Sequence, residues 1–116
     1  IQSSDNRKQY RADKIFADYI ALVEKNFKVQ RRVSWYAQQL HITHKYLSES
    51  IKAASHRTPN EWIDYYVVME IRVLLKTTAK SIKDITELLN FPNQSFLGKF
   101  FKEHVGMSPR QYRNQA

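Results

Sequence analysis

Cysteine is absent from the 116 residues. That absence excludes disulfides, thiolate nucleophiles and cysteine-type zinc sites together, and it fits a reducing cytosol. Glycine occurs twice (Gly98, Gly106) and proline three times (Pro59, Pro92, Pro109). So few breakers, with no alternating β-rich runs, exclude a chain of many short strands and point to an all-α fold. No apolar run approaches the roughly 20 residues that a membrane-spanning helix needs. The opening "IQSSDNRKQYR" is polar and charged, so it carries no visible signal peptide. Acidic residues are also in short supply, 11 against 19 Lys and Arg, for a net charge of +8. A surplus of that size favours a phosphate backbone or another anionic surface as partner.

The positive charge is not spread evenly. Residues 1–57 hold 11 Lys/Arg against 5 Asp/Glu (+6), residues 58–80 hold 3 against 3, and residues 81–116 hold 5 against 3 (+2). A neutral middle separates two basic ends. Residues 1–10 read as a linker or leader. A first helix is expected over about 11–28, because Ile15, Phe16, Tyr19, Ile20, Val23 and Phe27 recur at spacings of 1, 3, 1, 3 and 4. Ser34 is expected to cap a short helix through Leu40, and Thr43 to cap the next, "HKYLSESIKAAS". There Tyr46, Leu47 and Ile51 are expected inside. Thr58-Pro59-Asn60-Glu61 combines a capping box with proline at the first helical position. The helix it starts should reach about Thr77 and is apolar nearly all round, so it needs cover on most sides. Ser81 and Asn93 are the next expected caps, Gly106 closes the helix Asn93 opens, and Ser108-Pro109 starts the last, giving seven helices. Ile82, Ile85, Leu88 and Leu89 are expected as one inner stripe, and Phe96, Leu97, Phe100 and Phe101 as another.

Two segments repeat. Tyr36-Ala37, Leu40, Ile42, Tyr46-Leu47 and Ile51-Lys52 are answered by Ile85-Thr86, Leu89, Phe91, Phe96-Leu97 and Phe101-Lys102, offset by 49 before the turn and 50 after it. Each reads as a short helix, a tight turn and a longer helix, with a compact residue (Ala37, Thr86) where two helices meet closely. That is a helix-turn-helix layout. Such geometry also arises as plain packing. Two copies, a basic balance and a rigid spacer favour DNA. A helix of about 20 residues is roughly 30 Å long, close to the roughly 34 Å between successive major grooves on one face of a duplex. The expected division is therefore 11–57 and 79–116 as two helix-turn-helix subdomains joined by a long central linker helix, 58–78.

The run "SIKDITELLNFPNQSFLGKFFKEHVGMSPRQYR" closely resembles the C-terminal signature of the AraC/XylS family of bacterial transcription regulators. Ile82, Ile85, Phe91, Ser95, Phe96, Phe101, Lys102, Gly106, Ser108, Pro109, Tyr112 and Arg113 match its pattern. "SWYAQQLHITHKYLSESIK" looks like the family's first motif and "TPNEWI" like the start of its linker helix, so the resemblance covers roughly residues 14–114. Departures are Thr86 for the usual Ala, Asn90 for the turn Gly, Leu97 for an aromatic, Gly98 for a small hydroxyl residue, Lys99 for Arg, and Glu49 where Arg is frequent. Val67 stands where the linker helix usually carries Arg. Asn tolerates a left-handed backbone better than most residues, so the turn at Asn90 should survive.

The resemblance implies sequence-specific binding of double-stranded DNA. Lys45, Ser48 and Glu49 in the first recognition helix fall on base-contact positions, and Asn93, Gln94, Ser95, Gly98 and Lys99 are the candidates in the second. Gln94 suits adenine N6/N7, Lys45 suits guanine, Lys99 suits guanine or phosphate, and Glu49 suits either a cytosine N4 or the role of a surface charge that weakens this half. Gly98 offers no side chain, which permits close approach. Phosphate candidates are Lys52, Arg57, Lys83 and Lys102, with backbone N–H groups at the helix starts near Ser34 and Ser81. No enzyme, cofactor or metal is expected: there is no G-x-S-x-G motif, and His41 and His44 straddle a turn without acidic partners. The alternative is a helical protein-interaction or RNA-binding module. Family members usually carry a sensor or dimerisation domain ahead of this one, so the sequence is expected to be a fragment of a longer regulator, and activators among them also touch RNA polymerase. A cytoplasmic, nucleoid-associated location follows from such a role.

Overall fold

Hydroxyl and amide side chains start five of the helices. Thr43, Ser81, Asn93 and Ser108 each accept the backbone N–H three residues on, at 2.8–3.1 Å, and Thr58 accepts that of Glu61 at 3.2 Å. These bonds satisfy donors that the first helical turn leaves without partners. The computed structural model describes residues 2–115, with the side chains of residues 6–115. Among them are seven α-helices and no strand: α1 Gln2–Asn26, α2 Val33–Gln39, α3 His44–Ser55, α4 Pro59–Thr77, α5 Ile82–Leu88, α6 Gln94–Val105 and α7 Pro109–Asn114. The chain forms two compact units that divide between Asp64 and Tyr65, within α4.

Two boundaries differ from the expectation. The helix expected from residue 11 begins at Gln2, so most of the segment read as a leader is helical; residue 1 lies outside the described residues. Its side chains from Asn6 to Arg11 are exposed. Helix-favouring Arg7, Lys8 and Gln9 and local pairs such as Gln9 to Asp13 at 2.8 Å support the helix there without a core. Ser34 is not a cap. α2 starts at Val33, two residues earlier than a Ser34 cap implies, behind Arg32, whose side chain makes no capping bond.

In the first unit Tyr19, Val23, Tyr36, Leu47, Ile51 and Ile63 are buried to 1% exposure or less. Buried phenols need acceptors. The Tyr19 hydroxyl donates to the Pro59 carbonyl at 2.8 Å, tying α1 to the start of α4. The Tyr36 hydroxyl donates to the Gln30 carbonyl at 2.7 Å, and the two rings meet edge to face at 5.4 Å. Burial pushes both phenols up, Tyr36 to about 12. In the second unit Val67, Ile71, Leu75, Ile85, Leu89, Leu97 and Phe101 form the centre. Thr86 is buried among them without penalty, because its hydroxyl donates back to the Ile82 carbonyl at 2.7 Å. Arg113 donates to the carbonyls of Leu75 (3.0 Å) and Thr78 (3.4 Å), fastening α7 to the C-terminal end of α4.

Tyr46, Leu88 and Phe96, expected inside, are 42%, 42% and 55% exposed. The buried side of α3 is set by Leu47 and Ile51, and that of α6 by Leu97 and Phe101, each pair four residues apart. A residue one position earlier lies about 100° round the helix and leaves the core. Leu88 stands in the same relation to buried Leu89. Met69 and Val73 on α4 are likewise partly exposed, with Tyr65 on the same stripe.

The repeat extends further in the backbone than in the residue types. His41 and Asn90 both take left-handed φ (58° and 60°), as do His56 and Gly106 (62° and 91°). The N–H of Ile42 bonds to Ala37 O at 3.1 Å, and that of Phe91 to Thr86 O at 3.0 Å. The Thr58–Glu61 capping box recurs as Ser108–Gln111.

Removing the Tyr19 hydroxyl (Tyr19→Phe) leaves the Pro59 carbonyl without that donor. Denaturant unfolding should show a loss of about 1–3 kcal/mol. Hydrogen bonds donated by Thr58, first from its backbone N–H, hold the Glu61 carboxyl below the usual carboxylate range, with Arg57 and Lys52 adding weaker support. A depressed folded-state pKa means a contribution fully present above the ordinary value of about 4.5 and lost as the pH falls below it through the lower folded-state pKa. Melting temperatures followed into acid should therefore fall less steeply for Glu61→Gln than for the parent chain.

Candidate nucleic-acid interface

Each unit presents an open groove at the same place. In the first, Arg31, Arg32, Val33, Ser34, His44 and Asn60 line about 460 Å³. In the second, Ser81, Ile82, Lys83, Gln94, Ser95, Gly98, Ser108, Pro109 and Arg110 line about 430 Å³. Arg32, Val33 and Ser34 correspond to Ser81, Ile82 and Lys83 at an offset of 49; His44 and Asn60 correspond to Gln94 and Arg110 at 50. Three helix starts converge in each groove: those of the short first helix, the recognition helix, and the helix that follows.

The second groove gathers five of the expected contacts, Ser81, Lys83, Gln94, Ser95 and Gly98. The first gathers only Ser34. Lys45 and Glu49 are exposed and face each other across one helical turn, Nζ to Oε1 4.0 Å. An exposed pair of this kind stabilises little and leaves both side chains able to turn outward. Ser48 and Gly98 sit at equivalent, half-buried positions. Asn93 is engaged as the α6 cap, its Oδ1 accepting the Phe96 N–H at 2.8 Å. Lys99 and Lys102 are exposed along α6, outside the groove lining. Lys52 and Arg57 lie toward the other end of α3. Both cations act on Glu61 in the capping box, and the Arg57 guanidinium carbon is 5.8 Å from the Trp62 ring centre.

Arg31, Arg32, Asn60 and Arg110 line the grooves without a signal in the repeat or the family motif, and His44 enters the sequence analysis only as a metal-ligand candidate. Extending the repeat through Thr58-Pro59-Asn60-Glu61 and Ser108-Pro109-Arg110-Gln111 would have found Asn60 and Arg110. Arg31 is fixed rather than free to wave: its Nε donates to the Phe27 carbonyl at 3.0 Å. Burial lowers its pKa, partly offset by Asp64 and Tyr36.

Nothing inside the fold requires glycine at 98. A Cβ built there meets no atom within 4 Å, and the residue is in mid-helix. Glycine costs a helix interior about 1 kcal/mol relative to alanine. Gly98→Ala should accordingly raise the stability of the folded domain by about that amount in denaturant unfolding.

No group of three His, Cys, Asp or Glu is placed to hold a metal ion among the described residues, and none of their helices is long and apolar enough to cross a membrane.

A helix-turn-helix domain family model matches residues 36–115. A histidine kinase P4 of Formosa agariphila is 29% identical over 115 residues, covering 99% of this chain and 8% of that protein. The melibiose operon regulatory protein of Escherichia coli is 27% identical over 94 residues, 81% of this chain and 31% of its own length. The chain thus spans a third or less of these two relatives. Among solved structures, the C-terminal domain of AraT, a response regulator from Geobacillus stearothermophilus, superposes with a TM-score of 0.80 at 25% identity, covering 85% of this chain and 83% of that one. The DNA-binding domain of AdpA, solved with a target DNA, shares the fold with a TM-score of 0.76 at 20% identity, over 84% and 88% of the two chains. The family model and these structures describe the helix-turn-helix domain itself, whatever longer protein carries it. With both helix-turn-helix grooves built alike and the family model spanning well over half of its residues, the chain belongs to the helix-turn-helix domain family, in its AraC/XylS-type DNA-binding form.

Proposed function

We propose that this domain binds double-stranded DNA sequence-specifically through α3 and α6, each in a major groove, the two grooves adjacent on one duplex. The observation that carries the reading is the groove built twice, with a recognition-helix start and cationic or hydroxyl side chains on its walls (Arg31, Arg32 and Ser34; Ser81, Lys83 and Arg110). Phosphate contacts supply most of the affinity and base edges the specificity. Gln94 and Ser95 are the polar readers at the start of α6, and Lys99 reaches guanine or phosphate from the next turn. Lys45, Ser48 and Glu49 read the other half-site, Glu49 accepting from a cytosine amine once it leaves Lys45. Asn93 acts on the DNA through the helix start it holds. Lys52, Arg57, Lys83 and Lys102, with the backbone at Ser34 and Ser81, take phosphates. Gly98 lets the duplex approach α6 closely.

Transcription regulation is the role of such a module. In a longer regulator an upstream sensor or dimerisation domain would supply the signal, and RNA polymerase would be the partner of an activator. The setting is the nucleoid of a bacterial cytoplasm.

Selection from a random duplex pool should enrich a bipartite site with centres about one helical turn apart. On that site Gln94→Ala should relax base preference in one half, at a cost of about 1–3 kcal/mol. Lys52→Ala should weaken all sequences alike and flatten the salt dependence. Full affinity and an unchanged salt slope in both variants would overturn this orientation. Preference for duplex RNA or single strands at equal salt would favour the RNA-binding alternative.

A further inference from the structure

Tyr46 and Phe96 occupy the same position in the two recognition helices, the third residue of α3 and of α6. Each directly precedes a leucine with no exposure, Leu47 or Leu97, and yet is itself 42% or 55% exposed. Two large aromatics left in water at equivalent places are a poor use of apolar surface if folding is their only role. The Phe96 ring is nevertheless held. Its centre is 6.2 Å from that of Phe91, which in turn packs on Phe100 at 5.4 Å. One part of the ring is fixed against the domain while the rest faces outward. Lys99 is three residues on, its neighbour on the helix surface, and Gln94 and Ser95 precede it. Tyr46 has the corresponding neighbours Glu49 and Lys45.

We propose that Phe96 and Tyr46 are apolar base readers, each packing its exposed ring against the C5-methyl of a thymine in the major groove. This rests on the reading that α3 and α6 enter major grooves. Base edges there present hydrogen-bond donors and acceptors, with one apolar group among them, the thymine methyl. A ring pressed against a donor or acceptor would strip its water without replacing the bond. Thymine is the base that a ring at this position accommodates. The remaining reading residues, Lys45, Ser48, Glu49, Gln94, Ser95 and Lys99, are polar and do not supply that contact.

The test replaces thymines one at a time by deoxyuridine, which lacks only the methyl, in the duplex enriched from a random pool. Dissociation constants are measured for the parent domain, Phe96→Ala and Tyr46→Ala. In each half-site one substitution should weaken the parent domain about three- to fivefold, the worth of one buried methyl, and should leave the corresponding variant unchanged. Phe96→Gln and Tyr46→Gln, which keep a helix-favouring side chain at an exposed position, give the same readout should either alanine variant melt. The inference is overturned if no deoxyuridine weakens the parent domain, or if variant and parent lose affinity by the same factor. Should no duplex be bound at all, the major-groove reading itself fails, an outcome distinct from methyl-insensitive binding.

Discussion

Both recognition helices are held by one device, a pair of side chains four residues apart that is removed from water entirely: Leu47 with Ile51, and Leu97 with Phe101. Two buried points on successive turns fix the rotation of a helix about its axis. Once that rotation is set, every other side chain on α3 and α6 has its direction assigned. Ser48 and Gly98 flank the core, Lys45, Glu49, Ser95 and Lys99 point away from it, and Tyr46 and Phe96 sit at the far edge. The turns then aim the axis. Left-handed residues at His41 and Asn90 close each turn in the same way, and the caps at Thr43 and Asn93 start the second helix at a defined residue. Reading DNA requires that a few polar groups be displayed without moving, and the display depends on apolar contacts beneath it.

Element number and type were legible because they rest on local chemistry. Helix caps are side-chain bonds over three residues, and five of the six expected ones form. Ser34 failed because a helix can begin behind Arg32 without a side-chain cap when Val33, Tyr36 and Ala37 are buried. What the sequence blurred was helix rotation. Runs such as Phe96-Leu97 and Leu88-Leu89 present two adjacent apolar residues of which only the second is buried, and spacing alone cannot say which belongs inside. The start of α1 was lost for a different reason: helix propensity extends it beyond its packing stripe. Most of the second groove was legible from the family motif. Arg31 and Arg32 were not, since they fall between helices where periodicity carries no signal.

The two units are alike in backbone and unlike in the chemistry they display. Where α6 carries Gly98 and Lys99, α3 carries Ser48 and Glu49. The first groove concentrates two arginines on one wall; the second divides its cations between Lys83 and Arg110. A duplicated scaffold thus offers two different reading surfaces, which suits a target of two unlike half-sites and not a palindrome.

The left-handed positions carry a further consequence. The second unit fills them with Asn90 and Gly106, residues for which that backbone is inexpensive, whereas the first uses His41 and His56. A left-handed conformation at an ordinary residue costs roughly 1–2 kcal/mol, although histidine adopts it more readily than most. The first unit therefore stores conformational energy at both ends of α3 that the second does not store at the ends of α6. Local unfolding draws on such reserves, and amide hydrogens around α3 would exchange with solvent ahead of their counterparts around α6. A duplex that clamps α3 would then do more than be recognised by it; it would hold in place a helix whose two ends carry that strain.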